Sequence, residues 1–151
     1  MADEEIQFAS DTATLCVFDL LALRHRLNDD ADWWSIAEEE LTEVNKGNAA
    51  FIGLGDDGVY VVEIGDGGET SEIAPAVEIR LKFPSGRVFI GAAEEVTSDG
   101  LEPEGIRGRL VSFQPGNYRI TLARVEARRL RVQIIEDAVP AINDFREIAR
   151  I

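Results

Sequence analysis

Thr12-Ala13-Thr14-Leu15-Cys16-Val17-Phe18 is apolar at consecutive positions over its second half, not at alternate ones. Successive side chains of a strand point to opposite faces, so a strand with one wet face alternates apolar and polar residues. Leu15 and Val17 on one side, with Cys16 and Phe18 on the other, therefore predict a strand covered on both faces, at the centre of its sheet. Working outward, residues 49–54 and 59–64 flank Gly55-Asp56-Asp57-Gly58 and predict a hairpin with an acidic loop. Residues 77–83 and 87–90 flank Pro84-Ser85-Gly86, a second hairpin candidate. Residues 109–113 and 118–125 flank Gln114-Pro115-Gly116-Asn117, where Pro-Gly-Asn is strong turn chemistry. Residues 130–135 alternate Leu130, Val132 and Ile134 against Arg131 and Gln133, a strand with one wet face.

Three short helices are predicted beside these strands. Residues 20–27 place Leu20, Leu23 and Leu27 on one side. Ser35-Ile36-Ala37-Glu38 reads as a capping box opening a helix over residues 36–46, with Gly47 as its stop. Residues 143–151, after Pro140, present Phe145 and Ile148 at helical spacing. Residues 65–74 read as a surface loop. Phe8-Ala9-Ser10 and Phe83-Pro84-Ser85 echo one another, as do Gly58-Val59-Tyr60 and Gly116-Asn117-Tyr118. The echo fits either a duplicated β-unit or the recurrence of common hairpin grammar. The expected fold is one α+β domain over residues 1–151, mainly antiparallel β in a sandwich or barrel-like arrangement, with two or three short helices.

The charge is unevenly distributed. Residues 1–78 hold 19 acids and three cations, Arg24, Arg26 and Lys46, a net of −16; residues 79–151 hold ten acids and twelve cations, a net of +2. Such a field concerns partners, not fold. It opposes nucleic acid and anionic membranes as the main partner. The acidic N-terminus lacks the apolar stretch of a signal peptide, and no run reaches the roughly 18–20 apolar residues that span a bilayer. A cytoplasmic protein is the expectation. Cys16, the one cysteine, reads as a buried inert thiol.

Few residues suggest chemistry, and no cofactor is implied. His25 is the one histidine, lies off the Leu20/Leu23/Leu27 stripe, and reads as a solvated surface residue. One His and one Cys leave no basis for a transition-metal site. No nucleophile elbow or phosphate-binding loop is present. Asn28, Asp30, Asp32 and Glu39 match an EF-hand register, but Trp33 stands where the sharp turn needs Gly. Residues 29–43 differ in kind. Asp29, Asp30, Asp32, Glu38, Glu39, Glu40 and Glu43 occur there without a cation, around Trp33 and Trp34. Aromatics within an acidic rim suit a basic protein partner. The plainer reading packs Trp33 as a staple and solvates the acids. Arg119, Arg124, Arg128, Arg129 and Arg131 form a basic counterpart that pairs either internally or with another copy, giving a homodimer.

The runs Ser10-Asp11-Thr12-Ala13-Thr14-Leu15-Cys16-Val17-Phe18-Asp19, Asp30-Ala31-Asp32-Trp33-Trp34-Ser35 and Gly55-Asp56-Asp57-Gly58-Val59-Tyr60 resemble a family of small uncharacterised bacterial proteins. That family is similar to the acidic immunity proteins encoded beside secreted antibacterial toxins. The resemblance implies neutralisation of a basic toxin by binding and assigns no catalytic residue. The expected partner surface is Asp29, Asp30, Asp32, Trp33, Trp34, Glu39, Glu40 and Glu43, with Asp56 and Asp57. Two alternatives stand beside it. One is a small hydrolase or sugar-binding module using Asp19, Asp56 and Asp57; the other is a self-associating structural protein.

Overall fold

A computed structural model describes residues 4–26, 36–65, 77–93 and 108–151. Its strands are β1 (Glu4–Ser10), β2 (Thr14–Asp19), β3 (Ala49–Gly53), β4 (Gly58–Gly65), β5 (Val77–Phe83), β6 (Arg87–Ala92), β7 (Gly108–Ser112), β8 (Gly116–Glu126), β9 (Arg129–Glu136) and β10 (Ala149–Arg150). One helix, α1, spans Ala37–Asn45. The strands form two five-stranded sheets, ordered β1-β4-β9-β8-β5 and β10-β3-β2-β6-β7. Neighbours are antiparallel except β4 with β9 and β10 with β3.

β2 lies at the centre of the second sheet, as its two apolar faces require. Leu15 and Val17 point into the core between the sheets, with Ile6, Phe8, Ile52, Val62, Leu81, Ile120 and Val132. Cys16 and Phe18 point outward to a second cluster with Leu23, Val44, Ala49, Phe51 and Phe89. That outer cluster is why the sandwich carries a third, partial layer of α1 and the C-terminal segment.

The three predicted hairpins are corrected. β3 and β4 lie in different sheets, as do β5 and β6, and β7 and β8. Each turn carries the chain across the sandwich. β8 and β9 do form a hairpin, with the pair Glu126↔Arg129 next to its turn. Strands β1 to β4 visit the sheets in the order first, second, second, first, and β5 to β8 repeat that order. The repeat extends to detail. Leu54 N–H donates to Ala13 O at 2.8 Å, and Phe113 N–H donates to Gly86 O at 2.8 Å. Tyr60 Oη donates to Asp56 O, and Tyr118 Oη donates to Gln114 O, each four residues back. Gly58 pairs Ser10 while Gly116 pairs Phe83, so Ser10 corresponds to Phe83 and the Phe8/Phe83 echo is out of register by two. Gly86 sits at φ +81°, where its counterpart Ala13 holds φ +55°, a left-handed conformation that costs a side-chain-bearing residue roughly 1–2 kcal/mol.

Asp19 ties the two units together. Its buried carboxyl accepts from Leu21 N at 2.8 Å, Ser85 Oγ at 2.7 Å, Ser85 N at 3.0 Å and Gly86 N at 2.7 Å.

Two of the three expected helices are absent. Residues 20–26 run as turns, with Ala22 N bonded to Asp19 O and Arg24 N to Leu21 O, tightening into a 3-10 turn at Arg24–Arg26. Leu27 lies outside the described residues. The C-terminal segment is extended because asparagine side chains take its backbone partners. Asn45 Nδ2 donates to Phe145 O and its Oδ1 accepts Phe145 N, while Asn143 bonds Val44 O and both backbone groups of Arg80. Ile148 then faces the outer cluster while Ala149 and Ile151 face the inner one, the period of a strand. In α1, Ile36 takes the N-cap position without a side-chain cap bond, and Ser35 lies outside the described residues. The predicted stop holds: Gly47 sits at φ +74° with Gly47 N on Val44 O and Asn48 N on Glu43 O, a Schellman closure.

Asp19→Ala removes an acceptor for four donors in a buried turn, an expected loss of about 3 kcal/mol in unfolding free energy by urea titration. A loss below about 1 kcal/mol would show that the two units are held together elsewhere.

Candidate functional site

Arg80, Arg124, Arg128, Arg129 and Arg131 are engaged within the chain. Arg129 Nη1 meets Glu63 Oε2 at 2.5 Å and Glu5 Oε2 at 2.8 Å. Arg131 donates to Glu63 Oε1 through Nε at 3.0 Å and Nη2 at 2.8 Å. Burial pushes the Glu63 carboxyl up, but the hydrogen bonds from Arg131 and Arg129 outweigh it and hold the group below its usual range. Arg124 binds backbone: Nη2 donates to Leu54 O at 2.5 Å and Ile151 O at 2.8 Å, and Nη1 to Ala127 O at 2.6 Å. Arg128 donates to Asp57 O at 2.7 Å with its guanidinium 5.0 Å from the Tyr60 ring centre. Arg80 holds Asp137 at 3.0 Å; that bond, then the Val139 N–H, lowers the Asp137 carboxyl, with Arg119 adding to the field.

α1 divides its carboxylates between two environments. Glu43 is buried, with a side chain 1% exposed. Arg26 Nε donates to it at 2.7 Å, Asn48 Nδ2 at 2.7 Å, and His25 Nε2 lies 3.0 Å from both oxygens. Burial drives its carboxyl up, but the bonds from Asn48, His25 and Arg26 prevail and hold it below the ordinary value. Arg26 Nη1 also reaches Glu39 at 2.7 Å, so one guanidinium separates the two like charges of the helix.

Glu40 faces a different setting. It lines an open cleft of about 820 Å³ with Ala37 and Leu41 of α1, Thr12, Ala13 and Thr14 of the β1–β2 turn, Gly53 and Gly55, and the C-terminal residues Arg146, Glu147, Ile148 and Arg150. Glu40 has neither a hydrogen bond nor an ion pair among the described residues. Burial alone pushes its carboxyl from 4.5 to about 7. Among the described residues, no group of three or more His, Cys, Asp or Glu is placed to hold a metal ion. Nor is any described helix long and apolar enough to cross a membrane.

The sequence pattern of DUF6386, a family of unknown function, matches residues 1–151. The chain belongs to that family. No curated protein matches it. Among solved structures it is similar to Crocagin biosynthetic gene J, at 15% identity and a TM-score of 0.57, covering 91% of this chain and 99% of that one. It is also similar to ComJ from Bacillus subtilis, the inhibitor of the DNA degrading activity of NucA, at 13% identity and a TM-score of 0.46, covering 91% and 96%. Crocagin biosynthetic gene J shares the fold; at that identity the likeness extends no further.

The expected site residues separate under this geometry. Asp29, Asp30, Asp32, Trp33 and Trp34 lie outside the described residues. Glu43, expected on the surface, is instead buried by three partners, and Glu39 is half-buried against Arg26. Glu40 stands in the cleft, and Asp56 and Asp57 are exposed in the β3–β4 crossover. Asp19 ends β2, whereas Asp56 and Asp57 follow Gly53, the partner of Thr14 at the other end of that strand. A six-residue strand spans roughly 17 Å, so the hydrolase set of Asp19, Asp56 and Asp57 is not assembled. His25, expected free in solvent, is half-exposed on Glu43. Arg26, Arg146, Arg150 and the threonines of the β1–β2 turn were not singled out by sequence, since their roles depend on segments far apart in the chain.

Because the folded Glu40 carboxyl titrates above its unfolded value of 4.5, its stability contribution is full below that pH and is lost as pH rises through about 7. Glu40→Gln is therefore expected to stabilise the fold at pH 8 by about 1–2 kcal/mol, after allowance for solvent screening, and to leave it unchanged at pH 4. Denaturant titrations at the two pH values check this; an equal effect at both would place Glu40 in open water.

Proposed function

We propose that this chain is an immunity-type inhibitory protein that binds a basic toxin or enzyme in the cytoplasm and occludes it through an acidic surface. The surface comprises Asp56 and Asp57, Glu39 and Glu40 of α1, and the preceding stretch with Asp29, Asp30, Asp32, Trp33 and Trp34. Glu43 serves it from inside, by fixing Arg26 and the start of the helix layer. One observation carries the reading. Arg124, Arg128, Arg129 and Arg131 are engaged by Glu5, Glu63 and backbone carbonyls, and Arg80 by Asp137, while Glu38, Glu40, Asp56 and Asp57 have no ion pair among the described residues. The acidic half is thus left with an outward field that its own cations do not cancel.

Such a field steers a cationic partner and raises association rates by roughly 10–1000-fold. Affinity then rests on a few desolvated contacts, for which Trp33 and Trp34 are suited anchors.

Affinity capture from the native cell, followed by identification of what co-purifies, supplies the partner. With it in hand, reversing both Asp56→Lys and Asp57→Lys is expected to slow association about tenfold at low ionic strength. The difference should vanish near 1 M salt, where the screening length is about 3 Å. Equal rates at low salt would remove the crossover acids from the surface.

A further inference from the structure

The cleft beside α1 contains a carboxyl group that the fold does not answer. Glu43, three residues on, receives three donors; Glu40 receives none among the described residues. An unpaired carboxylate withdrawn from water is costly, and it becomes favourable when a ligand brings the missing charge. The walls are suited to the rest of such a ligand. Ala13, Ala37, Leu41 and Ile148 offer apolar contact for an alkyl stem, and Thr12 and Thr14 line the same cleft.

We infer that the cleft receives one arginine or lysine side chain of the partner, its charged head on Glu40 and its stem along Leu41 and Ile148. This rests on the reading of the chain as a binder of a basic protein, and it names where that protein inserts. At about 820 Å³ the cleft admits the side chain together with the backbone that carries it. The other charges facing the cleft set the orientation. Arg146 and Arg150 are exposed, where water screens them, and Glu147 offsets one of them. On α1 itself, Glu38 is exposed, while Glu39 and Glu43 are tied to Arg26. The inward position is therefore negative and the outer margin mixed, which admits a cation and leaves the arginines for carbonyl or carboxylate groups beside it. Burial has already pushed Glu40 up to about 7, so a cation seated there should bring its titration back down.

The full isotope-labelled chain can be titrated by NMR with three capped single-residue probes: N-acetyl-arginine methylamide, its norleucine analogue and its glutamate analogue. The arginine probe is expected to shift Thr12, Thr14, Glu40 and Leu41 at millimolar concentration and to lower the Glu40 titration midpoint. Glu40→Gln, with an otherwise unchanged spectrum, should weaken that binding about fivefold or more. Equal binding of norleucine would make the cleft merely apolar, and tighter binding of glutamate would hand it to Arg146 and Arg150; either result overturns the assignment. So does an absent arginine response. If association still slows on reversing Asp56 and Asp57, the acidic-surface reading survives that failure, so the two fail separately.

Discussion

A strand apolar on both faces cannot lie on the outside of a two-layer sandwich. β2 therefore imposes cover on each side of the second sheet, and the rest of the architecture follows from that demand. The first sheet covers Leu15 and Val17. Leu23, Val44, Phe145 and Ile148 cover Cys16 and Phe18. Burying each large apolar side chain stabilises the fold by about 1.5–3 kcal/mol, enough to recruit a short helix and an extended C-terminal segment as a third layer. That layer is incomplete. Where α1, the end of β3 and the C-terminal segment meet without closing, the cleft with Glu40 remains.

The same layer decides which acids of α1 find a partner within the chain. Glu43 and Glu40 sit one turn apart on α1 with opposite fates. One is hydrogen-bonded by Arg26, His25 and Asn48 and held low, and the other is withdrawn from water without a partner among the described residues and pushed high. Across the molecule, Glu63 collects Arg129 and Arg131, while Arg124 and Arg128 lock the crossover before Tyr60 to the β8–β9 turn. These contacts consolidate the fold and leave Asp56, Asp57, Glu38 and Glu40 without an ion pair among the described residues.

Much of this was legible in the sequence, for physical reasons that differ by element. The two-faced run at Leu15–Phe18 specified a central strand, because burial on both faces has one reading in a sheet. The strand around Leu130 followed from alternation, and that at Val77–Phe83 from the turn chemistry beside it. Partners did not follow, since Gly, Pro, Asp and Asn specify that the chain turns and not which sheet receives it. The three turns at 55–58, 84–86 and 114–117 carry hairpin chemistry and make crossovers. β1 is not predicted, although Ile6 and Phe8 alternate with Glu5 and Gln7, because the acidic start obscures a short pattern. The three-residue spacing of Phe145 and Ile148 predicts a terminal helix. Asn45 and Asn143, 63 to 100 residues from their partners, decide otherwise. The charge asymmetry was plain. Which acids it leaves free depended on Arg26 and Arg129 finding Glu43 and Glu63 in space.

The most direct measurement of the central claim is the association rate of the unmodified chain with its captured partner, followed against ionic strength. An unneutralised acidic surface meeting a basic protein predicts a rate that falls steeply, by about tenfold or more between 10 and 500 mM salt, with dissociation much less affected. A rate that stays flat across that range would contradict it, and would mean that the excess charge of the first half takes no part in recognition.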